Sequence, residues 1–284
     1  MTIQWFPGHM AKARREIEEK LKLVDFVMEL VDARAPLSSQ NPMLQQILQN
    51  KSKMVLLMKR DLADSNITNE WIEYYREKNI PAIAVNVNNK ADISRVIQQA
   101  KELGQIKLDK LIKKGIQPRP VRAMIVGIPN VGKSSLINRL ANKKIAKVGD
   151  RPGITQHQLW IKVKKDFELL DTPGILWPKF EDQRVGYRLA AIGTIKDQLL
   201  SLQDIVVFAI NYMKVHYPNQ LMERYNIEQN ENDMLDIFMK IGKLRGALES
   251  GGNINFDKVA DIVLRDLRTG RLGNITLEKP IDEQ

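Results

Sequence analysis

Cysteine is absent from the 284 residues, which excludes a disulfide framework and any thiolate metal site. No run approaches the ~18 consecutive apolar residues that a spanning helix requires. The opening residues Met1-Thr2-Ile3-Gln4-Trp5-Phe6-Pro7-Gly8 lack the charged-then-apolar layout of a secretory signal. These absences lead to the expectation of a soluble, cytoplasmic protein with no membrane role. Internal repeats and low-complexity tracts are missing too. Acidic residues are in short supply: 34 Asp and Glu stand against 44 Lys and Arg, a net charge of +10. That imbalance favours a polyanionic partner, nucleic acid before an anionic membrane surface, because basic groups that neutralise phosphates release condensed counterions. The excess is uneven. Residues 133–165 hold nine basic residues and one acidic, whereas from Lys240 onward the charges nearly balance.

What is present is a core-forming composition, 43% hydrophobic and 27% charged, in a length suited to one or two domains. Short apolar runs at 25–31, 53–57 and 82–85 read as strands, separated by helical patterns at 11–22, 41–50 and 69–79. That alternation is the signature of a mostly parallel sheet with helices on both faces. Residues 91–116 are mostly helical and basic, and Pro118 and Pro120 stop them. A strand at 121–126, a Gly-rich turn and a helix from about 133 follow, then a hairpin of strands at 159–163 and 167–170. Trp160, in the first of these, is expected to pack in the core. Beyond Pro178 only helical periodicity remains. The expected organisation is an α/β domain over 1–178 and an all-α domain over 179–284.

Gly127-Ile128-Pro129-Asn130-Val131-Gly132-Lys133-Ser134 fits G-x-x-x-x-G-K-[ST] between a strand and a helix, the context that gives this motif its meaning. Glycines let successive backbone N–H groups converge on phosphate oxygens, and the helix N-terminus adds partial positive charge. Asn130, Val131, Gly132, Lys133, Ser134 and Ser135 are therefore expected to hold a nucleotide's phosphates. Lys133 reaches the β- and γ-phosphates, and the Ser134 hydroxyl holds Mg2+. Asp171-Thr172-Pro173-Gly174 ends the later strand. Its carboxylate suits the same Mg2+, directly or through water, and the Gly174 N–H suits the γ-phosphate. Thr155, in the loop between, is the candidate for a second Mg2+-bound hydroxyl.

Base selection points to guanine. An Asp after Lys-x at a strand end accepts hydrogen bonds from guanine N1–H and N2–H2, a pair that adenine lacks. Met58-Lys59-Arg60-Asp61 supplies the Lys and Asp, with Met58 where an Asn is usual. Loss of one buried hydrogen bond costs roughly 0.5–3 kcal/mol. Asn86 and Val87 occupy the place of the next base-contacting loop without its usual Ser-Ala pair. These base-reading elements precede the phosphate motif, whereas an ordinary GTPase has them after it. The order is circularly permuted, with the chain rejoined through residues 91–120. The segment after Gly174 then leads straight into the helices, which makes nucleotide state a lever on them.

The stretches Trp5-Phe6-Pro7-Gly8-His9-Met10, Asp32-Ala33-Arg34-Ala35-Pro36, Gly127–Ser135 and Asp171-Thr172-Pro173-Gly174-Ile175-Leu176-Trp177-Pro178 closely resemble the circularly permuted ribosome biogenesis GTPase A family. The resemblance spans nearly the whole chain. It implies a cytoplasmic GTPase using GTP, GDP and Mg2+ that acts late in assembly of the large ribosomal subunit and contacts its rRNA through the helical domain. It also implies stimulation by K+ through Asn130, where the residue reading alone leaves a simple loop hydrogen bond open. A monomer off the ribosome is the default.

Many GTPases place a Gln after the DxxG glycine to orient water; here Ile175 and Leu176 stand there, so intrinsic hydrolysis is expected to be slow. His9, in the turn-rich Pro7-Gly8-His9, is the foremost internal candidate for the catalytic group beside Lys133, Thr155 and Gly174. An RNA contact or a packing role stays open for it. His157 is a lesser candidate, and His216 reads as structural or surface. Trp177 admits either stacking on RNA or packing. Two other functions stay in view: a nucleotide-gated RNA-binding switch with negligible turnover, and an ATPase, which Asp61 opposes.

Overall fold

The computed structural model describes residues 7–48, 51–115, 117–145, 160–172, 174, 180, 182–195 and 201–280. Six strands form one sheet: β1 (Phe26–Asp32), β2 (Lys53–Met58), β3 (Ala82–Val85), β4 (Val121–Gly127), β5 (Trp160–Lys164) and β6 (Phe167–Asp171), in spatial order β3-β2-β1-β4-β6-β5. All neighbours are parallel except the β5–β6 hairpin. Helix α1 (Pro7–Leu21) precedes β1, and α2 (Pro42–Leu48), α3 (Ser65–Glu77), α4 (Lys90–Ile112) and α5 (Lys133–Ala141) connect successive strands. Parallel strands need such crossovers, and covering both faces makes the central strands largely apolar. Every residue of β1 is buried. Its side chains divide by parity, as the two-residue strand period requires. Phe26, Met28 and Leu30 join Val96, Ala100 and Leu136 on one face. Val27 joins Ile17, Leu44 and Leu48 on the other, and Val31 packs there with Ile67 and Trp71.

Numbered from the strand that enters the phosphate motif, the sheet reads 6-5-4-1-3-2. Outward from β4 one side runs 4-5-6 and the other 3-2, and α4 supplies the unusual join. From Gln183 the named elements are all helical: α6 (Gln183–Ala191), α7 (Leu202–His216), α8 (Pro218–Tyr225), α9 (Met234–Arg245) and α10 (Phe256–Arg268). The architecture is thus the expected α/β domain in permuted order, followed by helices.

Three expectations need correction. Trp160 is 38% exposed. β5 is an edge strand whose Trp160, Lys162 and Lys164 share the outer face while Ile161 and Val163 face the core, and the Arg122 guanidinium lies 4.9 Å from the Trp160 ring centroid. Helix α3 begins at Ser65, four residues before the pattern suggested, because the Asp64 carboxylate accepts from the Asn66 and Ile67 N–H groups and caps it there. His9 falls in the first turn of α1, not in a turn-rich segment: Pro7 at the first helical position has the right φ and needs no N–H partner.

Candidate functional site

Register places the motifs together. Parallel pairing sets Asp32 beside Met58, Met58 beside Val85, Leu30 beside Gly127 and Ile125 beside Asp171. All lie at carboxyl ends of strands, the edge where open α/β sheets bind ligands. The phosphate motif is the turn from β4 to α5. Gly127 packs so closely that a Cβ there would stand 2.9 Å from the Leu30 carbonyl oxygen. Asn130 (φ +58°) and Gly132 (φ +105°) take left-handed conformations that curl the backbone into a concave turn. Val131 is buried beneath it, and Ser134 and Ser135 are half-buried in the first turn of α5.

Lys133 is 8% exposed, and its Nζ lies 3.2 Å from Asp171 Oδ1. The two charges pair, but neither atom makes an aligned hydrogen bond among the described residues. Burial lowers the Lys133 pKa, and the Asp171 charge only partly opposes it. A buried cation and a buried anion, each short of hydrogen bonds, are costly unless a ligand completes them. A phosphate oxygen for Lys133 and a Mg2+ ion for Asp171 and the neighbouring Ser134 hydroxyl suit this donor set. The Thr172 hydroxyl donates to the Ile125 carbonyl at 2.7 Å, which anchors the end of β6. Gly174 sits directly on the phosphate turn: a Cβ there would stand 3.1 Å from Pro129 N and 3.2 Å from Pro129 Cα. On the expectation that the Gly174 N–H meets the γ-phosphate, Gly174→Ala should push it out of place. Triphosphate-analogue affinity should fall about 10- to 100-fold, the loss of one hydrogen bond to a charged group, with diphosphate affinity nearly unchanged; titration of both ligands checks this.

The base-reading loop stands across β1. Met58 is buried, and its Cε lies 3.5 Å from where a Cβ on Gly132 would be. The side chain at the usual Asn position thus packs on the phosphate turn. Lys59 is left-handed (φ +59°), and its Nζ meets Asp32 Oδ2 at 2.9 Å. Asp61 is exposed. The second loop is tied to the first through buried Asp92, which accepts from Arg60 Nε, from the Asn86 N–H at 2.8 Å and from Arg95 at 2.8 Å. The Arg60 N–H adds a bond to the Val85 carbonyl at 3.3 Å. Val87 is half-buried against the core behind.

Sequence reasoning missed Asp32, Arg34 and Asp92. Asp32 is fully buried and accepts Arg34 Nε and Nη2 at 2.9 and 2.8 Å, besides Lys59. Burial alone would raise this carboxyl, but the Arg34 and Lys59 charges together hold it well below the usual range. The signal was an Asp at a strand end followed by Arg two residues on, in a stretch quoted only as a resemblance. Arg34 also donates to the Ile192 carbonyl at 3.0 Å, and the Asn130 amide donates to the Thr194 carbonyl at 3.5 Å. The end of α6 therefore rests on both the Asp32 loop and the phosphate turn. Thr155, His157, Ile175, Leu176 and Trp177 lie outside the described residues, as does the side chain of His9. His216 is exposed, its ring centroid 4.3 Å from that of Tyr212. No described helix is long and apolar enough to cross a membrane.

A family model described as a 50S ribosome-binding GTPase matches residues 122–241. The match starts in the strand before the phosphate motif and leaves residues 58–61 outside, as a permuted order requires. Ribosome biogenesis GTPase A of Bacillus cereus is 56% identical over 280 residues, spanning 99% of this chain and 95% of its own. A probable ribosome biogenesis GTPase A of Mycoplasma pneumoniae is 32% identical, spanning 98% and 97%. Among solved structures, GNP-bound YlqF from T. maritima superposes with a TM-score of 0.67 at 25% identity, covering 95% of this chain and 98% of that one.

Proposed function

The chain belongs to the ribosome biogenesis GTPase A family, and from that premise we propose that it binds GTP and GDP with Mg2+ and hydrolyses GTP in response to the large (50S) ribosomal subunit, late in that subunit's maturation. The observation that carries this reading is the convergence of the Lys133–Asp171 pair and the Asp61 loop on one sheet edge. The net charge of +10 supports rRNA as the surface it meets. We assign residues 1–178 to the GTPase domain and 179–284 to the ribosome-binding one, acting in the cytoplasm as a monomer when off the ribosome.

In this reading Asp61 accepts from guanine, with Lys59, Arg60, Asn86 and Val87 shaping the base pocket and Met58 sealing it against the phosphate turn. Backbone N–H groups of residues 130–135 and the Lys133 ammonium hold the phosphates. Ser134, Asp171 and Thr155 would hold Mg2+, which when bound draws charge from the β- and γ-phosphates. Asn130 is assigned a K+ contact through its amide oxygen, since its amide nitrogen is turned to Thr194. The Gly174 N–H steadies the γ-phosphate as charge develops. His9 orients the attacking water, the role that Ile175 has no polar atom to fill.

The test is GTP hydrolysis at fixed K+ with and without purified large subunits, on wild type and His9→Ala. Subunit stimulation lost in His9→Ala, with nucleotide binding intact, is the expected result; loss of one positioned catalytic group lowers the rate about 10²- to 10⁴-fold. Absence of stimulation in the wild type would favour a nucleotide-gated RNA-binding switch, the reading that Ile175 at the usual Gln position keeps open.

A further inference from the structure

The segment following α10 leaves the helices and returns to the sheet. Left-handed turns at Gly270 (φ +76°) and Gly273 (φ +87°) reverse it, and a Cβ on Gly270 would stand 3.0 Å from the Leu62 side chain. Ile275, Thr276, Leu277 and Glu278 are then all buried. Many of their polar atoms go to the segments around residues 33–38 and 62–71. The Ile275 N–H donates to the Leu62 carbonyl at 3.1 Å, and the Leu277 N–H to the Arg34 carbonyl at 2.7 Å. Thr276 Oγ1 accepts from the Asp64 N–H at 3.1 Å and donates to the Ala33 carbonyl at 3.5 Å. Glu278 accepts from the Ser38 N–H and hydroxyl at 2.8 and 2.6 Å, and its carbonyl accepts from Trp71 Nε1 at 3.2 Å.

Two of these residues also hold the helical half. Arg188 of α6 pairs with Glu278 at 3.1 Å, and the Tyr217 hydroxyl bonds both the N–H and the carbonyl of Thr276 at 3.1 Å. Leu62 and Asp64 follow Asp61 in the chain, while Ala33 and Arg34 flank the carboxylate that holds Lys59. Both arms of the base-reading loop are thus fastened by a strap that the helical half delivers.

We infer that the strap Ile275–Glu278 is a positioning element for Asp61, so that guanine affinity depends on how the helical half is seated. The inference rests on the assignment of Asp61 to the base. A partner that shifts the helices would pull on Thr276 through Tyr217 or on Glu278 through Arg188, and so loosen the nucleotide at its base. Hydrogen bonds reciprocate: bound guanine would in turn hold the strap and the helices in place.

The experiment measures release of a fluorescent GDP from the full chain, with GDP and IDP as competitors, for wild type, Thr276→Val, Thr276→Ser and Asp61→Asn. Valine keeps the shape of threonine and removes the hydroxyl; serine keeps the hydroxyl. Release reports only molecules that hold nucleotide, so partial unfolding does not contribute. Thr276→Val is expected to speed release about fivefold, as the loss of one buried hydrogen bond dictates, and to narrow the preference for GDP over IDP, with Thr276→Ser close to wild type. Unchanged release in Thr276→Val, or faster release with an unchanged GDP-to-IDP preference, while Asp61→Asn has lost guanine preference, would overturn the strap's role alone. Guanine preference surviving in Asp61→Asn would remove the assignment beneath it, and the inference with it.

Discussion

Asp61→Asn is expected to lower GTP and GDP affinity roughly 10²- to 10⁴-fold and to raise affinity for xanthine nucleotides. Two hydrogen bonds from guanine to a carboxylate contribute about 1.5–3 kcal/mol each. An amide offers one acceptor and one donor, so its N–H2 opposes the guanine N2–H2. Xanthine carries an oxygen at that position and accepts what the amide donates. Asp61 is exposed and its loop is fastened on both sides, so the substitution leaves the fold intact. Competition of GDP and XDP against a fluorescent guanine nucleotide measures both halves of the exchange. Retained guanine preference would exclude residue 61 as the base reader.

Asp32→Asn should weaken the fold itself. The carboxylate is fully buried between Arg34 and Lys59, and removing its charge leaves two cations around a neutral group. Breaking a buried pair in this way costs about 3–5 kcal/mol. Chemical denaturation of the nucleotide-free protein at neutral pH reads the loss, and nucleotide titration should show weaker GDP binding as Lys59 loses its anchor. The pH dependence carries its own signature. A carboxyl held below its ordinary value in the folded state stabilises the fold at every pH above the unfolded value of about 4. That contribution fades as pH falls from there towards the lower folded-state value. The gap in stability between wild type and Asp32→Asn should therefore be constant from neutral pH down to about 5 and close below 4. A gap that stays open under acid would mean that the substitution acts by packing and not by charge.

The parts of this molecule that could be read in the sequence are local in the chain. The phosphate motif declares itself within eight consecutive residues because a single strand-to-helix turn contains it. Strands β1 to β4 were legible because parallel strands covered on both faces leave short, mainly apolar runs. The place of Asp61 after β2, at the sheet edge that carries the phosphate motif, was legible too. The misses are contacts between distant segments. Nothing near Asp32 announces that Lys59 will return to it, and nothing near Asp92 announces that it will join two loops. Residues 275–278 have no helical or strand period, since their burial comes from filling a groove between loops. Trp160 was misplaced because an edge strand has one outward face, and hydrophobicity alone does not say which residue takes it. Met58 reads in the sequence as a loss of hydrogen bonding; only its contact with the phosphate turn at Gly132 shows what the side chain does there instead.

The position of β4 in the sheet has a consequence for how the chain is made. Phe26 of β1 pairs with Ala123 of β4, so a central strand waits for a neighbour encoded nearly a hundred residues later. At synthesis rates of about 5–20 residues per second the wait is roughly 5–20 s. During it β1, joined in turn by β2 and β3, presents an open edge whose every residue belongs in the core, the kind of edge that recruits foreign strands. An ordinary gene order would lay down the P-loop strand first and pair outward from it. The permuted order instead makes the growing polypeptide dependent on α4 bringing β4 home promptly, and exposes it to aggregation whenever elongation stalls between residues 60 and 120.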